Sequence, residues 1–204
     1  MNHDTLIIFF SYICGSIPFG LIISYIFKKN DPRSIGSKNI GATNVLRTGG
    51  FKLGLITLIL DILKGFIAIK ITLMLNSDLV GLSMIFVVIG HIFPVWLKFK
   101  GGKGVATFIG VLLGYSFQLF VLFIVTWLIS AFIFKYSSLS AIIAIIVNLL
   151  SSIVIDSNYI YFIVISFLIL IKHISNFQRL LTGNETKIIL KKKKLNFDFC
   201  PFKL

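Results

Sequence analysis

The chain has 204 residues, 57% of them hydrophobic, and a formal net charge of +13. A soluble domain carries about 45–50% apolar residues, so this composition excludes an ordinary soluble fold. It also argues against a nucleic-acid partner, because the positive charge lies between apolar runs and in a short tail, as membrane topology requires.

In chain order the apolar runs are Leu6–Phe27, Phe51–Leu75, Leu79–Leu97, Val105–Phe134, Leu139–Ile155 and Tyr159–Ile171. They are continuous rather than amphipathic, which is the pattern of membrane spans. The first has no Lys or Arg before it and no small-residue cleavage site after it, and reads as a retained span. Val105–Phe134 as one helix would measure about 45 Å, against a hydrocarbon core of about 30 Å. It is one tilted span or a pair of short ones broken near Gly114–Gln118, and charge selects the pair. With the N-terminus outside and about seven spans, every Lys and Arg except Lys64 and Lys70 falls on the inner side or at a span mouth. The outer segments then hold Asp4, Asp78 and Asp156 and no cation. Six spans would set Lys191–Lys194 opposite Lys28–Arg47, against the positive-inside rule.

The expectation is therefore an all-α integral membrane protein of about seven transmembrane helices, some short. Residues 1–185 form one transmembrane domain and 186–204 a basic cytoplasmic tail, with Lys191–Lys194 a stop-transfer signal or a contact to anionic membrane lipids. Cys14 in a span and Cys200 in the tail give neither a disulfide framework nor a metal-ligand spacing. No internal repeat is present.

Three inner segments carry polar chemistry. The first is the connection 28–50, with Gly36-Ser37-Lys38-Asn39-Ile40-Gly41-Ala42-Thr43-Asn44-Val45-Leu46-Arg47. Its glycines let backbone N–H groups turn toward an anion, and Ser, Asn, Thr and Arg add side-chain donors. Arg47 suits a bidentate grip on phosphate. The second runs from Gly90-His91 to Phe99-Lys100-Gly101-Gly102-Lys103-Gly104-Val105. Here a helix leaves the membrane, a glycine-rich turn carries Lys103, and a helix enters with its N-terminal dipole toward the turn. It is not a P-loop, since Leu97 and Gly104 stand where that motif needs Gly and Ser or Thr. The third is Lys172-His173-Ile174-Ser175-Asn176-Phe177-Gln178-Arg179, followed by Glu185. On a continued helix His173, Asn176 and Arg179 share one side. Glu185, the only Glu in the chain, is expected to pair with a nearby cation rather than act as a base. Asp61 and Lys64, three apart within a span, read as a structural pair supporting the site.

Each segment alone admits a plain reading as a solvated loop, a simple turn or a polar helix end. Three of them on one side of the membrane argue for a phosphate-binding site at the mouth of the bundle. An apolar substrate would reach it sideways from the lipid. No Ser-His-Asp set, placed Cys nucleophile, His-x4-Asp pattern or metal cluster offers itself. Positioning and electrostatic stabilisation remain. An organic-phosphate transporter also needs a basic cavity, but transporters place it near the midplane between repeats.

At these three segments the chain resembles the bacterial acyl-phosphate:glycerol-3-phosphate acyltransferase family. The likeness extends to Asp61-Ile-Leu-Lys64-Gly65, Gly90-His91-Ile-Phe-Pro94 and Cys14-Gly15-Ser16-Ile17-Pro18, in the right order from Cys14 to about Lys187. The resemblance implies transfer of a fatty acyl group from acyl phosphate to the 1-hydroxyl of glycerol 3-phosphate. The products would be lysophosphatidic acid and inorganic phosphate, in the first step of phospholipid synthesis. It implies no metal or organic cofactor, an active site on the cytoplasmic face, and a bacterial plasma (inner) membrane location with the N-terminus outside. By position, Ser37, Arg47, Lys103 and Asn176 would hold phosphate and stabilise the transition state. Asn39, Gly41, Asn44, Gly101, Gly102 and Gly104 would shape the substrate pocket. His173 would bind glycerol 3-phosphate or relay a proton, and Arg179 with Glu185 would brace the third segment. Asp61, Lys64 and His91 would support the site. A substrate phosphate is favoured as the base, His91 and His173 being the only side chains suited to that role.

Overall fold

The computed structural model describes residues 2–188; the lysine run at 191–194 lies outside them. The described residues form ten α-helices and no strand. They are α1 His3–Ser16, α2 Phe19–Ile26, α3 Ala42–Gly49, α4 Phe51–Leu75, α5 Val80–Ile92, α6 Val105–Tyr115, α7 Phe117–Phe134, α8 Ser137–Ile155, α9 Tyr159–Ile171 and α10 Ile174–Leu181. The segments Ser77–Leu97, Phe117–Phe134 and Ser137–Ile155 are each long and apolar enough to cross a membrane. Counting the bent pairs α1–α2 and α9–α10 as one span each raises the number to five. Side chains such as Tyr25, Met74, Phe132 and Val154 are almost fully exposed, as an outer surface bathed in lipid tolerates.

The expected break in the fourth run is present: Ser116 is extended and separates α6 from α7. α7 brings the chain back to the end where α6 began, since Ser138 and Lys103 both reach the Glu185–Asn176 cluster. At the far end Asn76 donates to Asp4 at 3.1 Å, Tyr115 donates to Asp156 at 2.9 Å, and Asn158 donates to Tyr115 at 2.8 Å. The first run differs from a straight span. It bends by 42° between α1 and α2, because Pro18 lacks the N–H that would continue the helix. Connection 28–50, read as a loop, contains α3, which buries Asn44 and Val45.

α4 and α6 pack in parallel at close range. A Cβ on Gly65 would overlap the Thr107 carbonyl, and one on Gly110 would overlap that of Ile62. Such small residues let backbones approach where lipid offers no hydrophobic drive to pack helices. Around them Ile69, Val88, Phe108, Leu112, Phe123 and Phe162 close one core. The Phe108 ring meets Phe123 and Phe162 edge-on at 5.8 and 6.3 Å.

One buried cation ties three elements together. Lys64 Nζ from α4 lies 2.7 Å from Asp61 Oδ1, 2.9 Å from the carbonyl of Ile17 at the α1–α2 break, and 2.9 Å from His91 Nδ1 on α5. The break frees carbonyls that a straight helix would satisfy, and a membrane interior requires partners for them. Lys64 serves Ile17, and Trp96 Nε1 donates to Ser16 at 2.8 Å. Removing one partner of a buried pair leaves an uncompensated charge, at about 3–5 kcal/mol. Lys64→Met is expected to lose that much, read as a large fall in melting temperature in detergent. The double variant Asp61→Leu with Lys64→Met is expected to recover part of it.

Candidate active site

A cavity of about 430 Å³ opens at the end of the bundle where α3, α6, α8 and α10 meet. One part of its lining is polar, with Ser37, Arg47, Lys103, His173, Asn176 and Glu185. The rest is apolar and runs between helices, with Leu58, Ile62, Ile109, Ile124, Trp127 and Ala141.

The first wall is the connection 28–50, and Asn44 is the residue that folds it. Its side chain is buried on α3. Its Nδ2 faces the carbonyls of Pro32, Ile35 and Asn39 at 2.6, 3.0 and 2.9 Å, and its Oδ1 accepts from Ser37 N at 2.9 Å. Four strands of backbone are thus tied to one amide, which presents Ser37, Asn39 and Gly41 to the cavity. Gly36 has φ +65°, and a Cβ there would overlap Asn44 Oδ1, so this turn requires glycine. Arg47, one turn along α3, faces the same space.

The second wall is the turn before α6. Lys103 and Gly104 line the cavity, and no side chain caps the helix beginning at Val105. Gly101 and Gly102 depart from the expected role. They lie behind Lys103, and their N–H groups donate to the carbonyls of Ile92 and His91 at 3.0 Å each. Their part in shaping the pocket is therefore indirect, through holding the turn. Lys103 Nζ donates to Asn176 Oδ1. Burial pulls the Lys103 ammonium down to about 8; Glu185 opposes the shift and Arg179 and Arg47 add to it.

The third wall bends by 52° between α9 and α10. His173 caps α10 and, with Asn176, is buried at the cavity. Of the three residues expected on one side of a continued helix, His173 and Asn176 face the cavity, while Arg179 turns to Glu185. Glu185 is the knot of this wall. Its Oε2 accepts from Arg179 Nε at 2.8 Å, and its Oε1 from Asn176 Nδ2 at 2.9 Å and Ser138 Oγ at 2.8 Å. Burial alone would raise its carboxyl, but the hydrogen bonds from Arg179, Asn176 and Ser138 hold it below the usual range. Asn176 gives its amide N–H to Glu185 and its oxygen to Lys103, so the carboxylate fixes which way the amide faces. His173 Nδ1 lies 2.8 Å from the Ile169 carbonyl. A carbonyl only accepts, so Nδ1 carries the proton and Nε2 is left as an acceptor.

Ser138 was not legible as a site residue, because the short connection 135–138 reads as topology alone. The apolar wall was not legible either, since Ile109, Ile124 and Trp127 look like any span residues. Asp61 and His91, expected only as support, line the cavity floor, whereas Lys64 does not. Among the described residues no group of His, Cys, Asp and Glu is arranged to hold a metal ion.

Cations, a fixed amide and hydroxyls on one wall, with an apolar slot on the other, suit a phosphate joined to a lipid chain. Phosphate affinity is expected to fall as pH rises through about 8, because Lys103 is charged below that value and loses its charge above it. Calorimetric titration of inorganic phosphate from pH 7 to 9.5 checks this, since the anion gains no charge there that would weaken binding. Lys103→Arg is expected to move the limb beyond the range.

A family model described as Glycerol-3-phosphate acyltransferase matches residues 5–183. A glycerol-3-phosphate acyltransferase of Ehrlichia canis is 48% identical over 195 residues, covering 92% of this chain and 100% of that protein. One from Bartonella henselae is 47% identical over 194 residues, 90% of each chain. The crystal structure of PlsY (YgiH), an integral membrane glycerol 3-phosphate acyltransferase, in its glycerol 3-phosphate form superposes with a TM-score of 0.87. Its identity is 38%, covering 91% of this chain and 96% of that one. Its lysophosphatidic acid form gives a TM-score of 0.84. With nearly the whole bundle inside the matched region, the chain belongs to the glycerol-3-phosphate acyltransferase family.

Proposed function

We propose that this protein transfers a fatty acyl group from acyl phosphate to the 1-hydroxyl of glycerol 3-phosphate. The observation that carries the reading is the cavity's double character. Its polar wall suits two phosphate groups, and its apolar slot between α4, α6, α7 and α8 suits an acyl chain entering from lipid. The related crystal structures include one in a glycerol 3-phosphate form and one in a lysophosphatidic acid form, the acceptor and the product of this reaction.

In the proposed step the 1-hydroxyl oxygen attacks the acyl carbonyl carbon. The new ester C–O bond forms, the C–O bond to the phosphoryl group breaks, and inorganic phosphate leaves. The hydroxyl proton leaves with that phosphate, which becomes a better acceptor as its bond to carbon breaks. Lys103 and Arg47 stabilise the charge gathering on the leaving group. Ser37 and Asn176 position the phosphates. His173 Nε2 accepts a hydrogen bond from the 2-hydroxyl of glycerol 3-phosphate and so orients the 1-hydroxyl toward the carbonyl, leaving its proton free to pass to the phosphate. Gly101, Gly102, Arg179 and Glu185 act behind this surface by holding Lys103 and Asn176 in place. The products are lysophosphatidic acid and phosphate. With no protein group needed to exchange a proton with solvent, no cofactor is called for.

The test follows acylation and phosphate release by purified protein in lipid, given acyl phosphate and glycerol 3-phosphate. Equal amounts of phosphate and acylated product are expected, with a loss of about a hundredfold or more in Lys103→Ala. Phosphate release without acylated product, or full activity in that variant, refutes the reading.

We further propose that the chain crosses a bacterial plasma membrane seven times, with the N-terminus outside and with the cavity and the segment from residue 186 cytoplasmic. Support comes from the cations, which crowd the cavity end, while Asp4, Asp78 and Asp156 mark the other. Introduced thiols test this: Ser157→Cys is expected to react with an impermeant maleimide on intact cells and Ser34→Cys only after lysis. The reverse pattern overturns it.

A further inference from the structure

His91 sits at the end of α5 with its ring against the cavity floor, and its hydrogen bonding selects one tautomer. Lys64 Nζ has three hydrogens and three acceptors around it: the Asp61 carboxylate, the Ile17 carbonyl and His91 Nδ1. An ammonium has no lone pair, so it donates both to the Ile17 carbonyl and to Nδ1, which is therefore an acceptor, while the Asp61 carboxylate neutralises its charge. The alternative, a proton on Nδ1 directed at Asp61, meets an oxygen 3.7 Å away, too far for a hydrogen bond. It would also set two cationic donors face to face. The neutral ring must then carry its proton on Nε2.

That Nε2–H has no partner among the described residues, and yet it is not sealed in. The buried side-chain atoms left without a partner are Asp61 Oδ1, Thr107 Oγ1, Asn148 Oδ1 and Ser166 Oγ, none of them on His91. The ring lines the cavity. Nε2 lies beside Gly102, where a Cβ would overlap it, one residue from Lys103. A directed donor in a water-poor site next to a lysine is the arrangement that stabilises anionic oxygen.

We propose that His91 is a further catalytic residue, whose Nε2–H donates to a phosphate oxygen of the bound substrate, with Lys64 fixing the tautomer. This rests on the acyltransferase reading above. It gives the two cavity histidines opposite duties: His91 presents a donor and His173 an acceptor.

Two substitutions separate this from a merely structural role. An Asn amide reaches the Nδ1 position and a Gln amide the Nε2 position of a histidine. His91→Asn keeps an acceptor for Lys64 and loses the donor to the cavity; His91→Gln keeps the donor and loses the acceptor. With a donor role, His91→Asn is expected to fold with a near-native melting temperature and to lose about a hundredfold in kcat/KM. His91→Gln retains more activity than His91→Asn even where it is less stable. The substrate whose KM rises, acyl phosphate or glycerol 3-phosphate, names the phosphate touched. Equal losses, or an Asn variant better than the Gln variant, overturn the proposal.

Wild-type protein decides the matter if both variants misfold. In 15N-histidine NMR, His91 is expected to carry its proton on Nε2 and to shift on adding inorganic phosphate. A proton on Nδ1, or no response to phosphate that binds, overturns it. Wild-type turnover is scored separately, so a failure of the acyltransferase reading is distinguishable from a failure of this one.

Discussion

The structure turns on a lysine ammonium buried in the bundle. An isolated charge there is costly, and it persists because Lys64 finds an ion-pair partner on the same helix and hydrogen-bond acceptors at the break between α1 and α2 and on α5. Each partner has a need of its own. The Asp61 carboxylate needs a counter-charge. The Ile17 carbonyl lost its helical partner to Pro18. His91 needs its tautomer set. The ammonium meets all three, and in doing so joins the support of the fold to the floor of the cavity.

Above that floor the site is assembled from three walls, two locked by a side chain and one by backbone hydrogen bonds. Asn44 gathers connection 28–50, the backbone of residues 91 and 92 clamps the glycine turn, and Glu185 gathers α10 and the start of α8. The result is a rigid polar rim in a protein whose outer helices face lipid. Rigid donors need little reorganisation as charge moves onto a leaving phosphate, which is where preorganised electrostatics contributes most. In the proposed reaction the apolar slot supplies the other half, binding the chain while the rim binds the phosphates.

The carboxylates show how location decides role. Asp61 and Glu185 are both paired with cations, Lys64 and Arg179, but only Glu185 also holds a residue of the cavity, Asn176. In the proposed step the proton passes between substrates, and the protein supplies geometry and charge.

Much of this was legible from residue order alone. Run length and charge placement gave the helical membrane class, the break near Ser116 and the end of the bundle where the site lies, because lipid imposes those rules on any chain. The motifs pointed to Ser37, Arg47, Lys103, His173 and Asn176, and all five line one cavity. The short helix α3, the part played by Ser138, the retreat of Gly101 and Gly102 behind Lys103, and the apolar slot were not legible. Each depends on which backbone groups and side chains meet across elements far apart in the chain, as Ser138 meets Glu185. The tautomers of His91 and His173 belong to the same class. A histidine in a sequence has two equivalent prospects, and only the atom placed against each ring nitrogen, Lys64 Nζ in one case and the Ile169 carbonyl in the other, decides which proton it keeps.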